Sequence, residues 1–175
     1  MVPNLVAPTH PEPPMLTPQM LAKAYARNHR IVEAQTAGLS HQDSLVQTPY
    51  NINCLNWVLG HLADGRDQVL AMLREAPLLV EEEGARYRRE SEPVIGDGPG
   101  VIPLERLLAI LKEGQERISA ALFALSEEAL QEEQPVGGRR LTLGERLHFA
   151  YFHETYHVGQ TELLRALAGK RDKVI

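Results

Sequence analysis

Four stretches of this chain place apolar residues at helical spacing, and little of it alternates them as a strand would. The first follows Thr17-Pro18, an N-cap residue with proline at the first helical position. It carries Met20, Leu21, Ala24, Tyr25, Asn28, Ile31, Val32 and Gln35 and stops at Gly38. After a break at Pro49-Tyr50-Asn51, capping by Asn51 or Asn53 predicts a second helix to about Glu75, with Pro77 as the stop. Its stripe is Leu55, Val58, Leu59, Leu62, Val69 and Leu73. Gly60 and Gly65 weaken it intrinsically, so close packing or a nearby site should account for them. Pro103 opens a third helix with the cleanest stripe: Leu104, Leu107, Leu108, Leu111, Gln115, Ile118, Leu122 and Leu125. Thr142 and Glu145 fit a capping box for a fourth helix that ends before Gly169.

The connections are irregular. Residues 76–103 hold the turn-forming run Gly96-Asp97-Gly98-Pro99-Gly100 and at most a short helical piece around Glu81–Glu90. A short turn starts at Ser126-Glu127-Glu128 and is broken by Pro135 to Gly138. Prolines at 3, 8, 11, 13 and 14 keep residues 1–15 out of regular structure, as an extended arm. The expected architecture is an all-α antiparallel four-helix bundle over residues 16–175 behind a proline-rich arm.

Composition narrows the function classes. With 175 residues the chain reads as one domain with a real core. The net charge of −5, with the basic pairs Arg88-Arg89 and Arg139-Arg140 far apart, gives no footprint for nucleic acid. There is no apolar run of membrane-spanning length and no leader pattern at Met1–Met15, so a cytoplasmic protein is expected. The single cysteine, Cys54, rules out an internal disulfide and a cysteine-based zinc site. A small buried apolar role is expected for it rather than a reactive thiol or a metal ligand. Glu81-Glu82-Glu83 reads as a solvated acidic face, because adjacent helical residues splay apart.

The candidate chemistry lies in His153-Glu154-Thr155-Tyr156-His157. Two imidazoles four residues apart leave one face of a helix and can share a metal ion. Among seven histidines a pair at this spacing arises by chance about one time in four, so context must decide. A catalytic metal wants about three protein ligands plus open positions. The candidates for the third are His10, His29, His41, His61 and His148, and the carboxylates. His61 is preferred: it lies in mid-helix beside the apolar stripe, where a polar ring needs a partner. The segment also spells H-E-x-x-H, the zinc-peptidase pattern. Its metzincin extension fails at Gln160 and Leu163, and little chain follows to supply a downstream ligand. An ion pair or interface hydrogen bond is expected of Glu154 rather than general-base work. Gln160 is a plausible partner for a ligand ring, Asn56 and Trp57 plausible cavity or core residues, and Tyr151 and Tyr156 packing residues.

The run His153 to Gln160, followed by Leu163-Leu164-Arg165-Ala166-Leu167 and Gly169-Lys170, resembles the last helix of the DinB-like four-helix bundles. Asn56-Trp57-Val58-Leu59-Gly60-His61-Leu62 resembles their second helix, and the likeness spans about residues 16–170. It implies an up-up-down-down bundle with a long crossover, often a homodimer. It also implies a divalent metal, often zinc or nickel, on three histidines that map to His61, His153 and His157. Characterised relatives include thiol S-transferases acting with low-molecular-weight thiols, and a metal-dependent isomerase. The expected activity is therefore that of a metal-dependent transferase or hydrolase of small molecules. The alternative is a dimeric interaction module whose metal only pins two helices together. An open coordination position facing a cavity would favour the enzyme.

Overall fold

A computed structural model describes residues 16–50 and 52–174. The arm expected at 1–15 and the capping candidate Asn51 lie outside the described residues. In chain order the elements are α1 (Pro18–Thr36), α2 (His41–Ser44), α3 (Leu55–Met72), α4 (Glu81–Ala85), α5 (Leu104–Ala124), α6 (Glu127–Leu130), β1 (Glu133–Val136), β2 (Arg139–Thr142) and α7 (Leu143–Leu167). The four long helices are those the apolar periodicity predicts, and they form an all-α bundle.

Local signals set most boundaries. Thr17 accepts a hydrogen bond from the Met20 amide at the start of α1, and Thr142 and Glu145 form the reciprocal capping box of α7. α3 begins one to three residues later than the asparagines suggest: its N-cap is Cys54, with no side-chain cap. The Cys54 thiol is buried and donates to the Val94 carbonyl at 3.3 Å, which agrees with a packing role. The exposed β1–β2 hairpin is a feature the helical reading missed. Its turn is Gly137-Gly138, with φ of 55° and 81°. A two-residue loop with both residues left-handed matches the twist of the strands it joins, and only glycine adopts it without strain.

α1 and α3 each pack against both α5 and α7. Side-chain pairings give the directions. Tyr25, Asn28 and Gln35 of α1 meet Leu147, Thr155 and Arg165 of α7 in ascending order, so these helices are parallel. His61 and Arg66 of α3 meet His157 and Glu154, so α3 and α7 are antiparallel. Asn56 bonds the Ile102 carbonyl just before α5, and Arg66 bonds the Leu111 carbonyl, so α3 and α5 are parallel. The order is thus up-down-down-up, and this corrects the up-up-down-down order expected from the resemblance. Parallel neighbours require the chain to return along the bundle. Residues 73–103 do this; an 18-residue helix such as α3 is about 27 Å long.

That crossover explains why α3 is buried almost all round from Leu55 to Asp64. Tyr87 of the crossover is fully buried against Gly60, where a Cβ would collide with its ring. Its hydroxyl donates to Asn56 at 3.1 Å and accepts from the Ile102 amide at 2.7 Å. Asn56 is therefore a core residue that fastens the crossover, and Gly60 is accounted for by close packing.

Two apolar clusters fill the bundle. One includes Val32, Leu59, Leu107, Leu111 and Val158; the other includes Leu21, Tyr25, Val69, Ile118 and Leu147. Between them along the helices lies a buried ion pair, Arg66 with Glu154, at 3.1 and 3.2 Å. Charges removed from water this far need such paired, two-point geometry. Among the described residues no helix is long and apolar enough to cross a membrane.

Candidate metal centre

His61 leaves the midpoint of α3 and is buried; His153 and His157 leave one face of α7 and are half-buried. The antiparallel contact of these helices brings the three rings together. Their centroids are 4.7 to 5.2 Å apart, and one ligand nitrogen from each lies within 4.8 Å of the others. The remaining candidates are elsewhere. His29 is packed beside Arg66, His41 accepts the Leu104 amide at the start of α5, and His148 neighbours Tyr151. His10 lies outside the described residues.

For two of the rings, hydrogen bonds fix which nitrogen faces inward. Nδ1–H of His61 donates to the Tyr87 carbonyl at 2.7 Å. A carbonyl can only accept, so the proton sits on Nδ1 and Nε2 presents its lone pair. Nδ1–H of His157 donates to Gln160 Oε1 at 2.8 Å, with the same consequence. The Nε2 atoms of His157 and His153 are then 3.2 Å apart. At that spacing His157 Nε2 can accept a proton carried by His153 Nε2, or the two nitrogens can share a cation once His153 carries its proton on Nδ1. Burial, the principal cause, lowers the pKa of all three rings. His157 also lowers that of His61, and His61 and Arg89 lower that of His153. A proton is therefore disfavoured there, and neutral imidazole is the form that binds metal. Tetrahedral ligation with Zn–N bonds of about 2.0–2.1 Å needs nitrogens about 3.4 Å apart, close to the His153–His157 spacing. The donor set fits a divalent cation of the zinc or nickel type.

Outer residues hold the rings. Trp57 stacks on His61 at 4.8 Å with 18° between planes, and its indole N–H donates to Ser91 at 3.0 Å. Tyr156 packs edge-on against His157. Tyr151 packs edge-on against Tyr25. Both oxygens of Glu154 are occupied by the Arg66 guanidinium, so this carboxylate has an ion-pair role. Glu81 and Glu83 pair separately with Arg88 and Arg106, and they do not converge on one site.

Two clefts meet at the histidines. One, of about 480 Å³, runs between α3 and α7 past Gly65, Gln68 and Phe149. The other, of about 540 Å³, is bounded by Trp57, Glu90, Ser91 and Pro93. Both are lined by His61, His153, His157 and Arg89. The Tyr87 carbonyl and Arg89 belong to the crossover and were not anticipated from sequence. A backbone acceptor leaves no residue-type signal, and Arg89 sits in a segment without periodicity.

Fold and cluster together define a class: a helical bundle with a three-histidine centre under a crossover strap. The chain belongs to the DinB superfamily, whose sequence model matches residues 20–161. A solved structure described as the conserved protein of locus from Enterococcus faecalis is similar, with a TM-score of 0.70 and 21% identity. That likeness covers 90% of this chain and 100% of the other, and it shows the fold alone. A search of curated proteins gave no match.

Proposed function

We propose that this chain is a divalent-metal-dependent transferase of small molecules, of the thiol S-transferase kind, with His61, His153 and His157 as metal ligands. The observation that carries the reading is the convergence of three imidazoles at the junction of two clefts. The superfamily is generally metal-binding, which supports the same assignment. A dication bound there would supply Lewis-acid chemistry, favouring thiolate over thiol at neutral pH.

The chain's own groups have distinct tasks. The Tyr87 carbonyl and Gln160 orient the His61 and His157 rings. Trp57 shields one face of His61. Clefts of this size suit small organic reactants, and two of them sharing one centre suit a two-reactant transfer better than a hydrolysis. In that transfer the thiol gives up its proton, sulfur bonds to an electrophilic carbon, and the leaving group departs with its electron pair. The cluster holds three ligand residues among those described, and it opens on clefts. A purely structural metal would be closed by a fourth protein ligand. A peptidase reading is weakened because the carboxylate that would act as base is tied to Arg66.

The test is turnover of cysteine with an alkylating electrophile, using metal-loaded and chelator-treated protein. Turnover only in the loaded form supports the proposal. Equal rates in both, across a panel of thiols and electrophiles, would overturn it.

The proposal includes a homodimer. Phe149, Phe152, Tyr156 and Leu163 form an exposed apolar stripe on α7, 54–69% accessible, on the flank beside the histidines. Sedimentation should give twice the chain mass, and Phe152→Glu should shift it toward monomer. A wild-type monomer at micromolar concentration would contradict this part.

A further inference from the structure

We infer that Arg89 is the anchor for an anionic group, a carboxylate, on the thiol substrate, and that it selects acidic over neutral thiols. The inference rests on the thiol-transferase reading above and adds the substrate's charge to it.

Three features of the crossover carry it. First, the backbone is pinned on both sides of Arg89. Tyr87 is wedged into α3 and bonded to His61, and Ser91 accepts the Trp57 indole N–H. Between them Glu90 takes φ of 69°, an unfavourable left-handed conformation for a residue with a side chain. The turn therefore holds position 89 at the rim of the histidine cluster, where its side chain lines both clefts.

Second, the charge of Arg89 is available. Its neighbour Arg88 is committed to Glu81 at 2.7 and 2.8 Å and to Asp64 at 3.6 Å. The described partner of Arg89 is Glu90 at 3.6 Å, with the two side chains 89% and 82% exposed. An ion pair so exposed contributes little and yields readily to a better-placed anion. Third, the acidic groups lining the main cleft are already matched: Glu154 by Arg66, and Asp64 by Arg88 and Gln68. In the main cleft the charge left to face a ligand is thus cationic, and a guanidinium offers a carboxylate two parallel hydrogen bonds.

Arg89 is a positioning residue here: it holds the substrate's tail while sulfur is delivered to the centre. The test uses cobalt(II)-loaded protein and two probes of matched length, mercaptopropionate and mercaptopropanol. Binding is followed by the near-ultraviolet thiolate-to-cobalt absorption. Arg89→Gln should reduce the preference for mercaptopropionate over mercaptopropanol, read as the ratio of the two affinities, by about three- to tenfold, and Arg89→Lys should retain part of it. The preference should also shrink with added salt. In turnover, the Gln variant should raise KM for the acidic thiol with little change in kcat.

An unchanged preference in Arg89→Gln would overturn the inference alone, as would equal weakening of both thiols. If cobalt binds but neither thiol gives the absorption in wild type, the thiol reading itself fails and this inference falls with it. Because both variants are compared through a ratio of ligands, a partly unfolded sample cannot imitate the expected result.

Discussion

The two glycines of α3 should respond to alanine with opposite signs. At Gly65 an added Cβ meets nothing within 4 Å, and the backbone is already helical. Gly65→Ala should therefore stabilise the protein by about 0.5–1 kcal/mol, the usual helix-propensity gain. At Gly60 the same atom would overlap the ring of Tyr87, which is fully buried and cannot swing into solvent. Overpacking costs about 1–3 kcal/mol. Moving the ring also endangers the bonds from its hydroxyl to Asn56 and the Ile102 amide, each worth about 1 kcal/mol. After subtracting the propensity gain, Gly60→Ala should destabilise by roughly 2–4 kcal/mol. Displacing Tyr87 also moves the carbonyl that orients His61, so metal affinity should fall by about 10–100-fold. Urea unfolding of both variants by circular dichroism, with metal titration of each, reads all of these quantities. Equal stability changes at the two positions, or unaltered metal affinity in Gly60→Ala, would refute the account of how the crossover is seated.

Two further outcomes follow from the buried polar groups. Glu154→Gln should cost about 3–5 kcal/mol in chemical denaturation, because it leaves the Arg66 charge buried without its counter-ion; a wild-type midpoint would contradict the structural role given to this pair. His29, His61, His153 and His157 all have pKa values lowered mainly by burial. Their unfolded forms therefore bind protons first. Metal-free stability should be greatest above the ordinary histidine pKa of about 6.5 and be lost as pH falls below it. A flat stability profile from pH ~7 to ~5 would show that these rings are not held neutral by the fold.

The long helices were legible because each buries one face, and burial writes itself into spacing: Leu104, Leu107, Leu111, Ile118 and Leu122 are all buried. Helix direction was not legible in the same way. A stripe is unchanged when the helix is reversed, so the up-down-down-up order had to come from pairings such as Arg165 with Gln35. The length of the 73–103 connection was the available clue, since a full return is needed only between parallel helices. The hairpin was overlooked because its residues are largely exposed and lack apolar alternation; Gly137-Gly138 was its only clear signature. For the centre, the i, i+4 histidines and the buried setting of His61 were readable from residue types, and the structure brings these three rings together. What fixes the tautomers of His61 and His157 was readable in part. Gln160 lies one turn from His157 on the same helix, whereas the Tyr87 acceptor is a main-chain atom brought in by the crossover.

Metal content tests the central claim most directly. Protein purified without chelator, dialysed and measured by plasma mass spectrometry should carry about one zinc or nickel ion per chain. His61→Ala should lose that ion while keeping the helical circular dichroism of the parent. A wild-type protein that takes up no divalent metal on reconstitution, or a His61→Ala variant that retains it in full, would contradict the assignment.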